Sequence, residues 1–68
     1  MATVTFRVPV AEAGGLGRGQ WIWDLSGWPG VGAASLDGLF GSLTVRATPK
    51  AMRRVRQFCA ERGYPEER

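Results

Sequence analysis

The sequence has no histidine and a single cysteine, Cys59, and these two shortages exclude several kinds of site. A disulfide within the chain needs two cysteines, and a structural zinc site needs a set of cysteine or histidine ligands. Catalytic pairs of the Ser–His and Cys–His type are excluded for the same reason. We therefore expect no metal ion and no cofactor, and we expect Cys59 to be a core thiol of low reactivity.

Carboxylates are the remaining candidates for acid–base chemistry, and the sequence has only six Asp and Glu residues. Asp24 and Asp37 flank a glycine-containing loop and are the one pair that could converge as an acid and a base. Asp37, however, directly precedes Gly38, and such a dipeptide is typical of a turn. The sequence thus lacks the residues for side-chain catalysis, and we expect no enzymatic activity.

Long apolar runs are also missing. Residues 1–10 alternate and contain Arg7, unlike a signal peptide, and no stretch is long enough to span a bilayer. Together with the lone cysteine, this favours a cytoplasmic protein without membrane contact. With 68 residues, the sequence predicts one small domain over 1–68, whose modest core would gain stability from association.

Lysine is nearly absent, and its scarcity affects how the positive charge is interpreted. The chain has one lysine and eight arginines, and Gly, Ala, Arg and Pro together make up 30 of its residues. This bias is typical of a GC-rich coding sequence. The arginine content therefore reflects codon usage in part, and the net charge of +3 is weak evidence for an acidic partner.

Residues 3–10 alternate between apolar and polar side chains with the period of a β-strand. Val4, Phe6 and Val8 share one side, and β-branched residues are frequent. Pro9 cannot donate a hydrogen bond to a neighbouring strand. We therefore predict a half-buried strand at an edge of the sheet.

Residues 20–25 alternate in the same way, with Trp21, Trp23 and Leu25 on one side. They predict a second strand, joined to the first by a flexible hairpin tip at 13–19. The glycines of that tip resemble a phosphate-binding loop in composition. Such a loop opens a helix, whereas this one leads into a predicted strand, so nucleotide binding is not expected.

The segment after the second strand has two parts. Residues 26–38 are rich in glycine and predict a loop, in which Ser35 could cap a short helical turn. Residues 39–47 predict a third strand, with Leu43, Val45 and Ala47 on the core face.

The C-terminal helix has the most complete set of signals. Thr48 is a good N-cap, Pro49 suits the first helical position, and Gly63 suits a left-handed C-cap, so we predict a helix over 49–62. Residues 64–68 then form a frayed tail, with Tyr64 packing near the cap. The predicted fold is α+β: a small three-stranded antiparallel sheet (β-β-β-α) with one C-terminal helix packed on one face. The apolar stripe of that helix consists of Ala51, Met52, Val55, Phe58 and Cys59.

Positive charge is concentrated in the C-terminal third of the chain. Lys50, Arg53, Arg54 and Arg56 lie on and beside the helix face opposite the apolar stripe, and Arg46 precedes them. Three interpretations remain open: a solvated helix face, contact with an acidic protein, or neutralisation of nucleic-acid phosphates. No helix-turn-helix or aromatic RNA-binding signature accompanies these charges.

Three tryptophans fall within eight residues, which is dense for so short a chain. We expect Trp23 to be part of the core. Trp28, beside Pro29 in the glycine-rich segment, is the best candidate for a partly exposed anchor, and Trp21 is a second candidate. Tryptophan and arginine are the residues most enriched at binding hot spots.

These features favour a small non-enzymatic binding module that contacts another protein with an acidic or aromatic-accepting surface. Small basic proteins without catalytic residues often act as regulators or inhibitors, as in phages and mobile elements that block host defence complexes. The alternative is a nucleic-acid-binding protein that uses the basic C-terminal helix. A homodimer paired through the N-terminal strand is compatible with either function.

Overall fold

The chain folds into a four-stranded antiparallel sheet, order β2-β3-β1-β4, combined with helices. The structure is a computed structural model that describes residues 1–13 and 19–67. The α+β class with a C-terminal helix is confirmed, although the sheet has four strands where three were predicted. The elements are β1 Ala2–Arg7, α1 Val10–Ala13, α2 Gly19–Ser26, β2 Val31–Asp37, β3 Ser42–Ala47, α3 Pro49–Arg62 and β4 Glu66–Glu67.

One face of the sheet is buried and the other is open to solvent. Phe6 of β1 and Leu36 of β2 both lie opposite Leu43 of β3, and all three are buried. The alternate positions of the strands, such as Ser35 and Arg46, are exposed because successive side chains point to opposite faces. The predicted core face of β3 is confirmed. The buried core consists of Phe6, Val8, Ala13, Leu25, Leu36, Leu43, Val45, Ala47, Ala51, Met52, Val55, Cys59 and Tyr64.

The helix α3 has the predicted bounds and the predicted caps. The Thr48 side chain accepts a hydrogen bond from the Ala51 backbone N–H at 3.2 Å, and Gly63 adopts a left-handed conformation with φ 79°. Beyond Gly63, the Tyr64 N–H donates to the Cys59 carbonyl at 2.8 Å, which completes a Schellman motif. Tyr64 is 2% exposed, so the residue that follows the C-cap packs in the core.

The prediction of a strand over 20–25 is wrong, because these residues belong to the helix α2. The apolar residues of this segment fit the alternation of a strand and also the spacing of a helix. Trp21, Ile22 and Leu25 lie on one side of such a helix. Leu25 is fully buried, whereas Trp23 falls off that stripe and is 74% exposed. The predicted hairpin therefore does not form, and residues 14–18 of its predicted tip lie outside the described residues.

The loop prediction for residues 26–38 is also wrong, because most of this segment forms β2. The strand Val31–Asp37 contains mainly Gly, Ala and Ser, which have low intrinsic strand preference, and pairing with β3 determines its conformation. Ser35 lies in β2 and caps no helical turn. The predicted strand over 39–47 begins only at Ser42.

The turn between β2 and β3 is organised by Asp37. Its Oδ1 atom accepts hydrogen bonds from the N–H groups of Leu39 at 2.9 Å and Phe40 at 3.3 Å. The predicted turn role of Asp37 is thus confirmed. Leu39 and Phe40 are held at the hairpin tip, where they are 80% and 74% exposed.

Two predictions are wrong because of β4. The C-terminal tail was predicted to be frayed, and the first strand was predicted to lie at an edge of the sheet. Glu66–Glu67 pairs with Thr5 and Phe6, so β1 lies between β3 and β4. The Arg7 N–H donates to the Pro65 carbonyl at 2.8 Å, which aligns the tail with β1. Pro9 does not disturb the sheet, because β1 ends two residues before it.

Gly41 and Gly63 both have positive φ, but only Gly41 is sterically confined. A Cβ atom at Gly41 would collide with the Val8 carbonyl oxygen, whereas one at Gly63 would have no neighbour within 4 Å.

We expect Gly63→Ala to lower the free energy of unfolding by about 1 kcal/mol, since it adds only left-handed strain. Gly41→Ala should lower it by about 3 kcal/mol or more, because backbone must also move. Urea unfolding measures both, and equal losses would contradict the proposed close approach.

Candidate interaction surface

The guanidinium of Arg54, on α3, lies over the ring of Trp28, the candidate anchor residue. The guanidinium carbon Cζ is 4.2 Å from the centroid of the Trp28 ring, which is a cation–π distance. Phe58 meets the same indole edge-on, with centroids 5.5 Å apart and an interplanar angle of 89°. The Trp28 ring is therefore half-buried and fixed from two sides.

Trp21 extends this arrangement toward the end of α3. Its ring centroid is 5.9 Å from those of Phe58 and Tyr64. The guanidinium of Arg62 lies 5.4 Å from the Trp21 centroid and 4.8 Å from that of Phe58. Arginines and aromatic rings thus alternate across the junction of α2 and α3. We call this surface the arginine–aromatic cluster, and it consists of Trp21, Trp28, Arg54, Phe58 and Arg62.

The spacing of these residues explains why they meet. Arg54, Phe58 and Arg62 are four residues apart and form one row along α3. Trp21 and Trp28 are seven residues apart, and both face that row from α2 and the turn that follows it. The cluster therefore depends on one helical row of α3 that faces α2 and the turn after α2. Phe58 and Arg62 were not predicted as part of the surface, although their spacing from Arg54 is visible in the sequence.

Lys50 and Arg53 lie beside the cluster, and both side chains are exposed. Lys50 and Arg54 line an open groove of about 430 Å³ at the start of α3. No ion pair forms at Lys50, Arg53 or Arg54 within residues 1–13 and 19–67. The remaining residues along this groove are Pro29, Gly30, Thr48 and Ala51.

Two of the predicted partner-binding residues lie elsewhere. Arg46 is on the open face of the sheet, which is the face that does not carry α3. Arg56 lies on the other flank of α3, where its Nε donates to Glu66 Oε1 at 2.9 Å. The structure thus brings Trp21, Trp28 and Arg54 together and separates Arg46 and Arg56 from them.

The expected core position of Trp23 is wrong, since this side chain is 74% exposed. Alternation in the sequence placed it with Trp21 and Leu25, but α2 turns it about half a revolution away from the buried stripe. It lines a cleft of about 370 Å³ with Ile22, Ser26, Ala34, Ser35 and Leu36.

Cys59 is fully buried, as the sequence predicted. Burial raises the pKa of its thiol from 9.0 to about 11, and the nearby Arg62 guanidinium opposes this rise. A protonated thiol without solvent access is a poor nucleophile. Within the described part of the chain, no group of three or more His, Cys, Asp or Glu side chains could hold a metal ion.

The raised pKa predicts how stability depends on pH. Well below pH 9 the thiol is neutral in both the folded and the unfolded chain, so it contributes no pH dependence. Between the unfolded pKa of 9.0 and the folded pKa of about 11, only the unfolded chain ionises, and stability falls as the pH rises. At pH ~10.5 this loss should be about 2 kcal/mol. Urea unfolding of Cys59→Ala, which has no thiol, should show a smaller loss over the same interval, and an equal loss would contradict the assignment.

Comparison with known proteins gives no relative: no protein-family model, curated protein or solved structure matches the chain. Among the helices of the described residues, none is long and apolar enough to cross a membrane.

Proposed function

We propose that the chain is a small non-enzymatic binding module that contacts an acidic surface of another protein. The contact surface is the arginine–aromatic cluster together with Lys50 and Arg53. The observation that carries the proposal is the position of Arg54, whose guanidinium carbon lies 4.2 Å from the centroid of the half-buried Trp28 ring.

The cluster has the composition and the rigidity of a binding hot spot. Tryptophan and arginine are enriched where interfaces are buried most deeply. The cation–π contact with Trp28 restricts the Arg54 side chain before any partner arrives, so less conformational entropy is lost on binding. The planar guanidinium retains outward N–H groups that can donate in pairs to a carboxylate.

The charge around the cluster favours an acidic partner. Lys50, Arg53 and Arg54 occupy little more than one turn of α3. Positive charge gathered in this way speeds association with an acidic surface and sets orientation more than it adds affinity. Arg46 and Arg56 are assigned no part in this contact.

A regulatory or inhibitory role follows from this mode of action. A module without catalytic groups changes its partner by covering or bridging a surface. Small proteins of phages and mobile elements act in this way on host defence complexes, and we assign this chain to the same functional class. The proposed location is the cytoplasm.

Nucleic-acid binding is the second candidate, and it uses the same three cations. Phosphate neutralisation by Lys50, Arg53 and Arg54 would give binding that weakens steeply with salt. Base stacking is less well supported, because the Arg54 guanidinium lies over the Trp28 ring and Phe58 packs perpendicular to that ring. Protein contact therefore ranks first.

The proposal predicts that Arg53→Glu reduces partner capture at least about tenfold, since a cation beside the cluster becomes repulsive. Its free energy of unfolding should change by less than about 0.5 kcal/mol, because Arg53 is exposed. Quantitative pull-down from a nuclease-treated lysate of the source organism measures capture. Arg46→Glu is the matched control, since it makes the same charge change on the open sheet face and should leave capture unchanged.

Equal loss of capture in both variants would contradict the assigned surface, because net charge alone would then explain binding. Titration with a labelled DNA or RNA oligonucleotide at low and high salt separates the two functions. Affinity that falls steeply with salt and is lost in Arg53→Glu supports the nucleic-acid function. No oligonucleotide binding at low salt rules it out.

A further inference from the structure

The strand β4 lies on the edge of β1 in the way that a bound peptide lies on a sheet. Its two residues, Glu66–Glu67, pair antiparallel with Phe6 and Thr5. The Arg7 N–H donates to the Pro65 carbonyl oxygen at 2.8 Å and continues the pairing by one step. Main-chain hydrogen bonds of this kind are how sheet edges bind extended peptides.

Each carboxylate of β4 meets an arginine on its own face of the sheet, because successive side chains of a strand point to opposite faces. Glu66 lies opposite the buried Phe6, on the face that carries α3, and its Oε1 atom accepts from Arg56 Nε at 2.9 Å. Glu67 points to the open face, where its Oε1 atom is 3.4 Å from Arg7 Nη2. The two arginines therefore recognise two consecutive acidic residues in an extended segment.

These contacts hold β4 only weakly. Each of the four charged side chains is at least 38% exposed. Ion pairs with this exposure contribute little to stability and weaken further with salt. The attachment of β4 to the end of α3 keeps it in place, and a short tether of this kind corresponds to an effective concentration of about millimolar. A separate segment that binds moderately better than β4 will therefore displace it.

A groove beside β4 offers such a segment an additional contact. It has a volume of about 530 Å³ and a mostly apolar lining, to which β1 and the end of α3 contribute Phe6, Ala60 and Gly63. The two side chains of β4 are both charged, so they add no apolar group to this groove. An incoming segment with an apolar side chain beside its acidic pair gains free energy by burying that side chain here.

We propose that the place of β4 is a binding site for an extended acidic segment of a partner protein, and that β4 occupies it in the free chain as an internal competitor. We call this place the β4 site, and it consists of Thr5, Phe6, Arg7 and Arg56. The segment that is seated there shows the chemistry of the occupant: an antiparallel strand with two consecutive carboxylates. Because the site pairs with main-chain groups, its ligand is a polypeptide and not a nucleic acid.

The β4 site is separate from the arginine–aromatic cluster. Arg56 lies on one flank of α3, whereas Arg54, Phe58 and Arg62 face α2 on the other. Both surfaces are basic, but only the β4 site combines its cations with a sheet edge. The inference thus goes beyond the proposed function by assigning a second contact and the form of its partner.

NMR titration of the isotope-labelled full chain tests the proposal. The probe is an acetylated and amidated peptide that copies residues 63–67, and the control peptide has glutamine at both glutamate positions. In the double variant Glu66→Gln, Glu67→Gln, the internal competitor loses two exposed ion pairs, so the acidic peptide should bind about fivefold more tightly than it binds the unchanged chain. The amide signals of residues 5–7 should shift, and the control peptide should bind neither chain measurably.

Arg56→Glu, added to the double variant, should cancel this gain, since it repels the acidic peptide. Arg53→Glu in the same background is the matched control, because it makes the same charge change on the same helix but away from the β4 site. It should leave peptide binding unchanged. All of these substituted residues are exposed, and the amide spectrum should show that each variant is folded.

Three results would overturn the proposal. They are equal binding of the two peptides, no gain in the double variant, and signal shifts at residues 50–54 in place of residues 5–7. The last result would assign the acidic peptide to the arginine–aromatic cluster. Capture from lysate depends on Arg53 and peptide binding at the β4 site depends on Arg56, so the two proposals fail separately.

Discussion

The packing of α3 on the inner face of the sheet is the interaction on which the rest of the structure depends. Met52, Val55 and Cys59 lie on this helix and are buried with Phe6 and Val45 in one core. A chain of 68 residues can build only one such layer, because its surface is large relative to its volume. Without α3, the apolar sides of β1 and β3 would face water.

The position of α3 also determines where the candidate sites lie. Its buried residues Met52, Val55 and Cys59 face the sheet, so the row of Arg54, Phe58 and Arg62 is directed sideways toward α2. That row meets Trp21 and Trp28 and forms the arginine–aromatic cluster. On the opposite flank of α3, Arg56 forms an ion pair with Glu66 and so holds β4 in place. One helix thus supports the proposed binding surface on one side and holds β4 on the other.

The elements that were predicted correctly are those whose signals are local. The caps of α3 are made by residues adjacent to the helix, and the alternation of β3 covers its whole length, so neither depends on a distant partner. The assignment failed at α2 because Trp21, Ile22 and Leu25 satisfy a strand period and a helix period over so short a run. It failed at β2 because the pairing that defines the strand is supplied by β3. For the proposed binding surface, Trp21, Trp28 and Arg54 were identified from residue type, whereas the part played by Phe58 and Arg62 is evident only once α2 is known to be a helix.

The sequence by itself determined the α+β class, the bounds and the apolar stripe of α3, the core face of β3 and the buried position of Cys59. Each of these follows from residue spacing or from capping groups within a few positions along the chain. The tertiary structure alone decided that Trp23 is exposed, that β1 lies inside the sheet, and that Arg54 rather than Arg46 or Arg56 meets Trp28. These outcomes depend on contacts between residues far apart in sequence, which composition and periodicity do not encode.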